Sequence, residues 1–147
     1  MPTLLRYADV LDRLRSAARG REDYVNAVLL TPDHPEWHPD TVEGEEYATC
    51  RYLTDEGRPS CIVGTAFYTD LVSGGLTPER RDNAEAIRVV FARRLPGFAI
   101  TPKALHLLED VQGGQDQGDS WGAAIEAAVR CVESSGLDDT AAMALHY

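Results

Sequence analysis

The sequence predicts a mainly α fold: a compact bundle of four to five helices with a small two-stranded β element. Three observations carry that prediction. The first is the apolar series Trp121, Ala124, Ile125, Ala128, Val129 and Val132, whose i, i+3, i+4, i+7, i+8, i+11 spacing lays one stripe along a helix. The second is a device used twice, Thr77-Pro78 and Thr101-Pro102, in which a hydroxyl caps a helix and proline fills its first turn. The third is a pair of short β-prone runs, residues 24–30 and 47–53, on either side of a loop that holds Pro32, Pro35 and Pro39.

The elements follow in order. A first helix is predicted over residues 3–19, with Thr3 as cap, Leu4, Ala8, Leu11, Leu14 and Ala18 at helical spacing, and Gly20 as a left-handed stop. After the β element, residues 54–60 read as a turn with Gly57 at positive φ. Ser60 then caps a helix whose first residue is Cys61 and whose buried face is Ile62, Val63, Ala66, Phe67 and Leu71. Residues 73–75 end it. The next helix runs from its cap at Thr77 to Leu95, with Ala84, Ile87, Phe91 and Leu95 inward and Arg80, Arg81, Arg88 and Arg94 toward water. A further helix starts at Thr101, buries Ala104, Leu105, Leu108 and Val111, and stops at the glycine-rich break that begins at Gly113. The last helix is capped by Asp119 or Ser120 and closed by Gly136. Residues 1–136 form one globular domain. Residues 137–147 read as a C-terminal tail, either a short final turn or a disordered end. The expected core is Leu11, Leu14, Ile62, Val63, Phe67, Ile87, Phe91, Leu105, Leu108, Trp121, Ile125 and Val129.

A chain of 147 residues, 44% of them hydrophobic, supports one packed domain. Its net charge of −10 is unevenly placed: residues 31–57 carry −7 and residues 101–147 carry −6, whereas the remaining stretches are near balance. Affinity for nucleic acid and for anionic membranes comes from Lys and Arg, so both partners are disfavoured. A basic protein partner, or plain solubility, suits this charge. The basic residues are thirteen arginines and one lysine, Lys103, a bias expected of codon usage in a high-GC genome. The N-terminal residues show no signal-peptide pattern and no apolar run approaches a membrane span, so a cytoplasmic location is expected, with reduced thiols.

Three stretches invite a chemical reading. Cys50 and Cys61 are spaced C-x10-C, which matches no zinc motif, and Cys131 supplies at best a third ligand. Cys61, read at the first turn of a helix, is the weak catalytic candidate, a thiol nucleophile acidified by the helix dipole. It lacks a cysteine-enzyme signature around any of the four histidines, and the leading reading is a small hydrophobe in the core. His34, Glu36, His38 and Asp40 alternate as metal ligands do on a strand. Three prolines push that segment toward polyproline II, whose period of three scatters them, and a solvated loop is expected there. Residues 110–126 contain Asp110, Asp116, Asp119 and Glu126, but no window has the spacing of a calcium loop. No metal, cofactor or catalytic site is therefore expected.

Two motifs resemble a family. Cys50, Tyr52, Gly57, Pro59, Cys61, Ile62, Val63 and Gly64 form a "C-x-Y…G-x-P-x-C-I-V-G" stretch. Thr101, Ala104, Leu107, Val111, Gln112, Gln115, Asp116, Gly118, Trp121, Gly122 and Ala124 form a "T-x-x-A-x-x-L…V-Q-x-x-Q-D-x-G-x-x-W-G-x-A" stretch. Together they resemble a group of small actinobacteriophage and actinobacterial proteins to which no activity is assigned. The group's pattern has a histidine after "IVG", where this chain has Thr65. The resemblance implies a phage or prophage setting.

The functional expectation is a non-enzymatic cytosolic interaction protein, phage-encoded, monomeric or homodimeric, that binds a host or phage protein. The alternatives are a thiol enzyme built on Cys61 and an acidic mimic of nucleic acid.

Overall fold

The computed structural model describes residues 2–25, 27–29, 46–48 and 51–145. The chain is mainly helical, as its periodicities predict. In order it forms β1 (Thr3–Leu5), α1 (Tyr7–Ala18), β2 (Ala27–Leu29), β3 (Glu46–Ala48), α2 (Ile62–Ala66), α3 (Tyr68–Ser73), a 3-10 turn at Arg81–Ala84, α4 (Ile87–Arg94), β4 (Phe98–Ile100), α5 (Pro102–Asp116) and α6 (Trp121–Glu133). The two-stranded β element lies inside the predicted region as β2 paired antiparallel with β3.

A second small sheet was not anticipated. β1 pairs in parallel with β4, Thr3 opposite Phe98 and Leu5 opposite Ile100. Thr3 is therefore a strand residue and not a helix cap. Helical spacing from Leu4 onward hides this, because the partner strand lies some ninety residues away and pairing at that distance leaves no local mark. α1 starts instead after Arg6, whose backbone N–H donates to the Asp9 carboxylate at 2.9 Å.

Two predicted helices are broken. The helix after Cys61 divides at Phe67 into α2 and α3. The helix predicted from Thr77 to Leu95 is α-helical only from Ile87, after the 3-10 turn at Arg81–Ala84. Upstream, buried Asn83 clamps Leu53: its Oδ1 accepts from Leu53 N–H at 2.8 Å and its Nδ2 donates to Leu53 O at 3.0 Å. Buried Asp82 takes Arg94 at 2.6 Å and Arg93 at 3.2 Å. Arg94, expected in water, is thus drawn inward. A continuous helix would break this buried network, and unpaired buried polar groups are costly.

α5 is the central element and touches α1, α2, α4 and α6. It begins as predicted, with Thr101 Oγ1 accepting from Ala104 N–H and Pro102 in the first turn. It buries Leu105, Leu107, Leu108 and Val111 and then runs through Gly113 and Gly114, where the sequence predicts a stop. α6 is as predicted, capped by Ser120, with Trp121, Ala124, Ile125, Ala128 and Val132 buried. Of the twelve expected core residues, ten are buried, and Leu11 and Val129 are half-buried against the cluster. Gly20 and Gly57 both take positive φ, 78° and 81°, as their turns require.

The C-terminal segment is bonded to the body. Lys103 N–H donates to Asp138 O at 3.0 Å and Met143 N–H to Ile100 O at 2.8 Å. The Asp139 carboxylate accepts from Tyr7 N–H at 2.8 Å and from the Thr101 hydroxyl at 2.7 Å.

Candidate functional site

The two motif stretches meet at the start of α2. Tyr52 is buried, its hydroxyl donates to Glu85 O at 2.7 Å, and its backbone carbonyl lies against Gly64 so closely that a Cβ there would overlap it. Leu53 and Pro59 form a bridge that closes the turn between them. Cys61 is the N-cap of α2, one residue earlier in the helix than predicted, and Ser60 is not the cap. Cys61 Sγ accepts from Gly64 N–H at 3.2 Å, and the residue has no exposed surface. Gln115, from the second motif, completes the cap: its Oε1 accepts from Ile62 N–H at 2.7 Å and the residue is fully buried. A glutamine one residue from the end of α5 therefore takes one of the orphan donors of α2. Thr65, at the group's histidine position, donates its hydroxyl to Cys61 O at 2.9 Å.

This geometry gives most of the matching residues a packing or capping role. It also removes a condition of the nucleophile reading, since Cys61 presents no surface to a substrate. Cys50 and the ligand series His34, Glu36, His38 and Asp40 lie outside the described residues.

The fold assembles another chemical group that the sequence reading did not combine. His106 and Asp110 are one turn apart on α5, with His106 Nε2 3.2 Å from Asp110 Oδ2. α6 packs along α5 and brings Cys131 to the same place, so that one ligand atom of each residue lies within 4.8 Å of the other two. His106 and Asp110 are half-buried, and Cys131 is exposed. The Cys131 thiol is hydrogen-bonded to Asp110, which holds its pKa above the ordinary thiol value, with the negative charge of Asp110 adding to the effect. A carboxylate beside the sulfur disfavours thiolate, so the trio is not arranged as a cysteine nucleophile with its base. Its donor types are those of a metal centre. The signal in the sequence was the His-x-x-x-Asp spacing on a helix face. The contribution of Cys131, 21 residues beyond Asp110, required the α5–α6 packing.

Arg13 forms a second polar feature. Its guanidinium sits 4.7 Å from the Phe67 ring centre and 5.1 Å from that of Phe98, and it pairs with Asp70 at 2.9 Å. It fastens α1 to α3 and β4. A shallow open depression beside it is lined by Asp12, Ser16, Thr65 and Ala66.

Among the described residues no helix is long and apolar enough to cross a membrane. No family model, no curated protein and no solved structure matches the chain.

Proposed function

We propose that this chain is a non-enzymatic, cytosolic interaction protein, phage-encoded in origin, whose acidic surface binds a basic face of a host or phage protein. One observation carries the reading: residues 101–147 carry a net charge of −6, and half of their eight acids are exposed. Asp119, Glu126, Glu133 and Asp138 are all exposed on or beside α6. Of the arginines of residues 58–100, Arg88 offsets Glu109 within this stretch, whereas Arg93 and Arg94 are engaged by Asp82 outside it. Charge of one sign on a folded surface steers partners of the other sign and discourages nucleic acid.

Affinity capture from a high-GC host lysate, run with the wild-type chain and the triple variant Asp119→Asn, Glu126→Gln, Glu133→Gln, tests the reading. A basic protein retained by the wild type, released by moderate salt and lost with the variant is the expected result. Equal capture by both chains, or none by either, contradicts it. Displacement of the chain by duplex DNA from a captured DNA-binding protein would move the reading to nucleic-acid mimicry.

A further inference from the structure

We propose that His106, Asp110 and Cys131 bind one divalent transition-metal ion of the zinc class, with a fourth position open to water or a ligand. The three side chains offer an imidazole nitrogen, a carboxylate oxygen and a sulfur, all within 4.8 Å of one another. In a tetrahedral zinc site, bonds of about 2.0–2.3 Å place ligand atoms roughly 3.2–3.8 Å apart. The His106–Asp110 pair already has that spacing, at 3.2 Å. Both residues project from one face of α5, and Cys131 approaches from α6, so the two helices hold the donors without help from a loop. Side-chain exposures of 37% for His106 and 29% for Asp110, beside an exposed Cys131, leave an entry path and room for the fourth ligand.

The donor set also selects the ion. Thiolate and imidazole favour zinc and its neighbours over magnesium or calcium, which take oxygen. A carboxylate and a thiolate bring two negative charges, which neutralise a divalent cation. On binding, the sulfur–metal bond replaces the sulfur–hydrogen bond, the proton leaves to solvent, and Asp110 exchanges its hydrogen bond from Cys131 for the metal. The sequence-based expectation of no metal rested on four-ligand spacings. Three ligands on two packed helices fall outside those patterns.

Titration of the metal-depleted full chain with Co²⁺, followed by Zn²⁺, tests the proposal. One equivalent of Co²⁺ is expected to give thiolate-to-cobalt charge-transfer absorption and the ligand-field bands of a four-coordinate ion, both bleached by Zn²⁺. Cys131→Ser should abolish the charge-transfer band. His106→Ala should weaken Co²⁺ binding by more than the roughly hundredfold loss typical of removing an outer partner. Neither residue is buried, so far-ultraviolet circular dichroism should stay unchanged in both variants. Absence of a charge-transfer band in the wild type would overturn the site. A band that survives in Cys131→Ser would place the ion on another thiol and overturn it equally.

Discussion

Asp82 shows how one buried side chain ties local structure to stability. Arg94 and then Arg93 hold its carboxyl below the ordinary carboxylate range, against the opposing effect of burial. A folded-state pKa below the unfolded one means that folding favours the ionised form. The stabilisation is present above about pH 4, the ordinary aspartate pKa, and is lost as pH falls through the lowered folded value. Asp82→Asn should therefore lower stability at neutral pH and flatten the acid limb of a urea-denaturation series between about pH 5 and pH 2. An acid limb as steep as that of the wild type would show that other carboxylates dominate. Gly64 makes a different point at the same scale. A methyl group there would meet the Tyr52 carbonyl oxygen, which belongs to rigid backbone and cannot step aside. Gly64→Ala should destabilise by at least the ~1–3 kcal/mol typical of overpacking, read from the urea midpoint. A neutral substitution would mean that α2 and the 51–59 turn are not held as described.

At the level of elements, α5 tests whether tertiary packing overrides propensity. The helix crosses Gly113 and Gly114, although each glycine weakens a helix by roughly 0.5–1 kcal/mol relative to alanine. Around a Cβ at Gly113 nothing lies within 4 Å, whereas at Gly114 it would sit 3.2 Å from both Ala124 Cβ and Asp119 Oδ2. Gly113→Ala should accordingly raise stability by about 0.5–1 kcal/mol, and Gly114→Ala should gain less or lose. Equal gains in thermal unfolding would contradict the close α5–α6 approach at Gly114.

The same helix marks the limit of what the sequence discloses. Its start was legible because Thr101 and Pro102 act within one turn, and α6 was legible because its apolar stripe repeats at 3.6 residues. Its end was not, because what carries α5 past the glycines is the packing of Ala124 and the reach of Gln115 to Ile62, contacts between distant segments. The parallel β1–β4 pair and the Asn83 clamp on Leu53 escaped for the same reason. In the candidate centre, the four-residue spacing of His106 and Asp110 does not by itself mark a site, and Cys131 joins them only through α5–α6 packing.

On the scale of the whole molecule, the C-terminal segment closes the fold. Asp139 gathers Tyr7 N–H from the start of α1 and the Thr101 hydroxyl from the start of α5. One carboxylate thereby serves two helix beginnings, where negative charge is also favourable. Asp139→Ala leaves both donors without this acceptor and should lower stability by roughly 1–3 kcal/mol in urea unfolding. A change below about 0.5 kcal/mol, the range of ordinary surface substitutions, would mean that the segment only rests on the surface.

Cys61 is buried at the cap of α2, and the proposed function requires that it perform no thiol chemistry. Thiol labelling of the native, metal-depleted chain, mapped by peptide mass, separates this reading from a thiol enzyme. Cys131 should react in the native protein, because it is exposed. Cys61, with no exposed surface and its sulfur engaged at the cap of α2, should react only through unfolding, at a rate that rises with denaturant. Labelling of Cys61 in the native protein as fast as Cys131, with an apparent pKa well below the ~8.5 of an ordinary thiol, would contradict it.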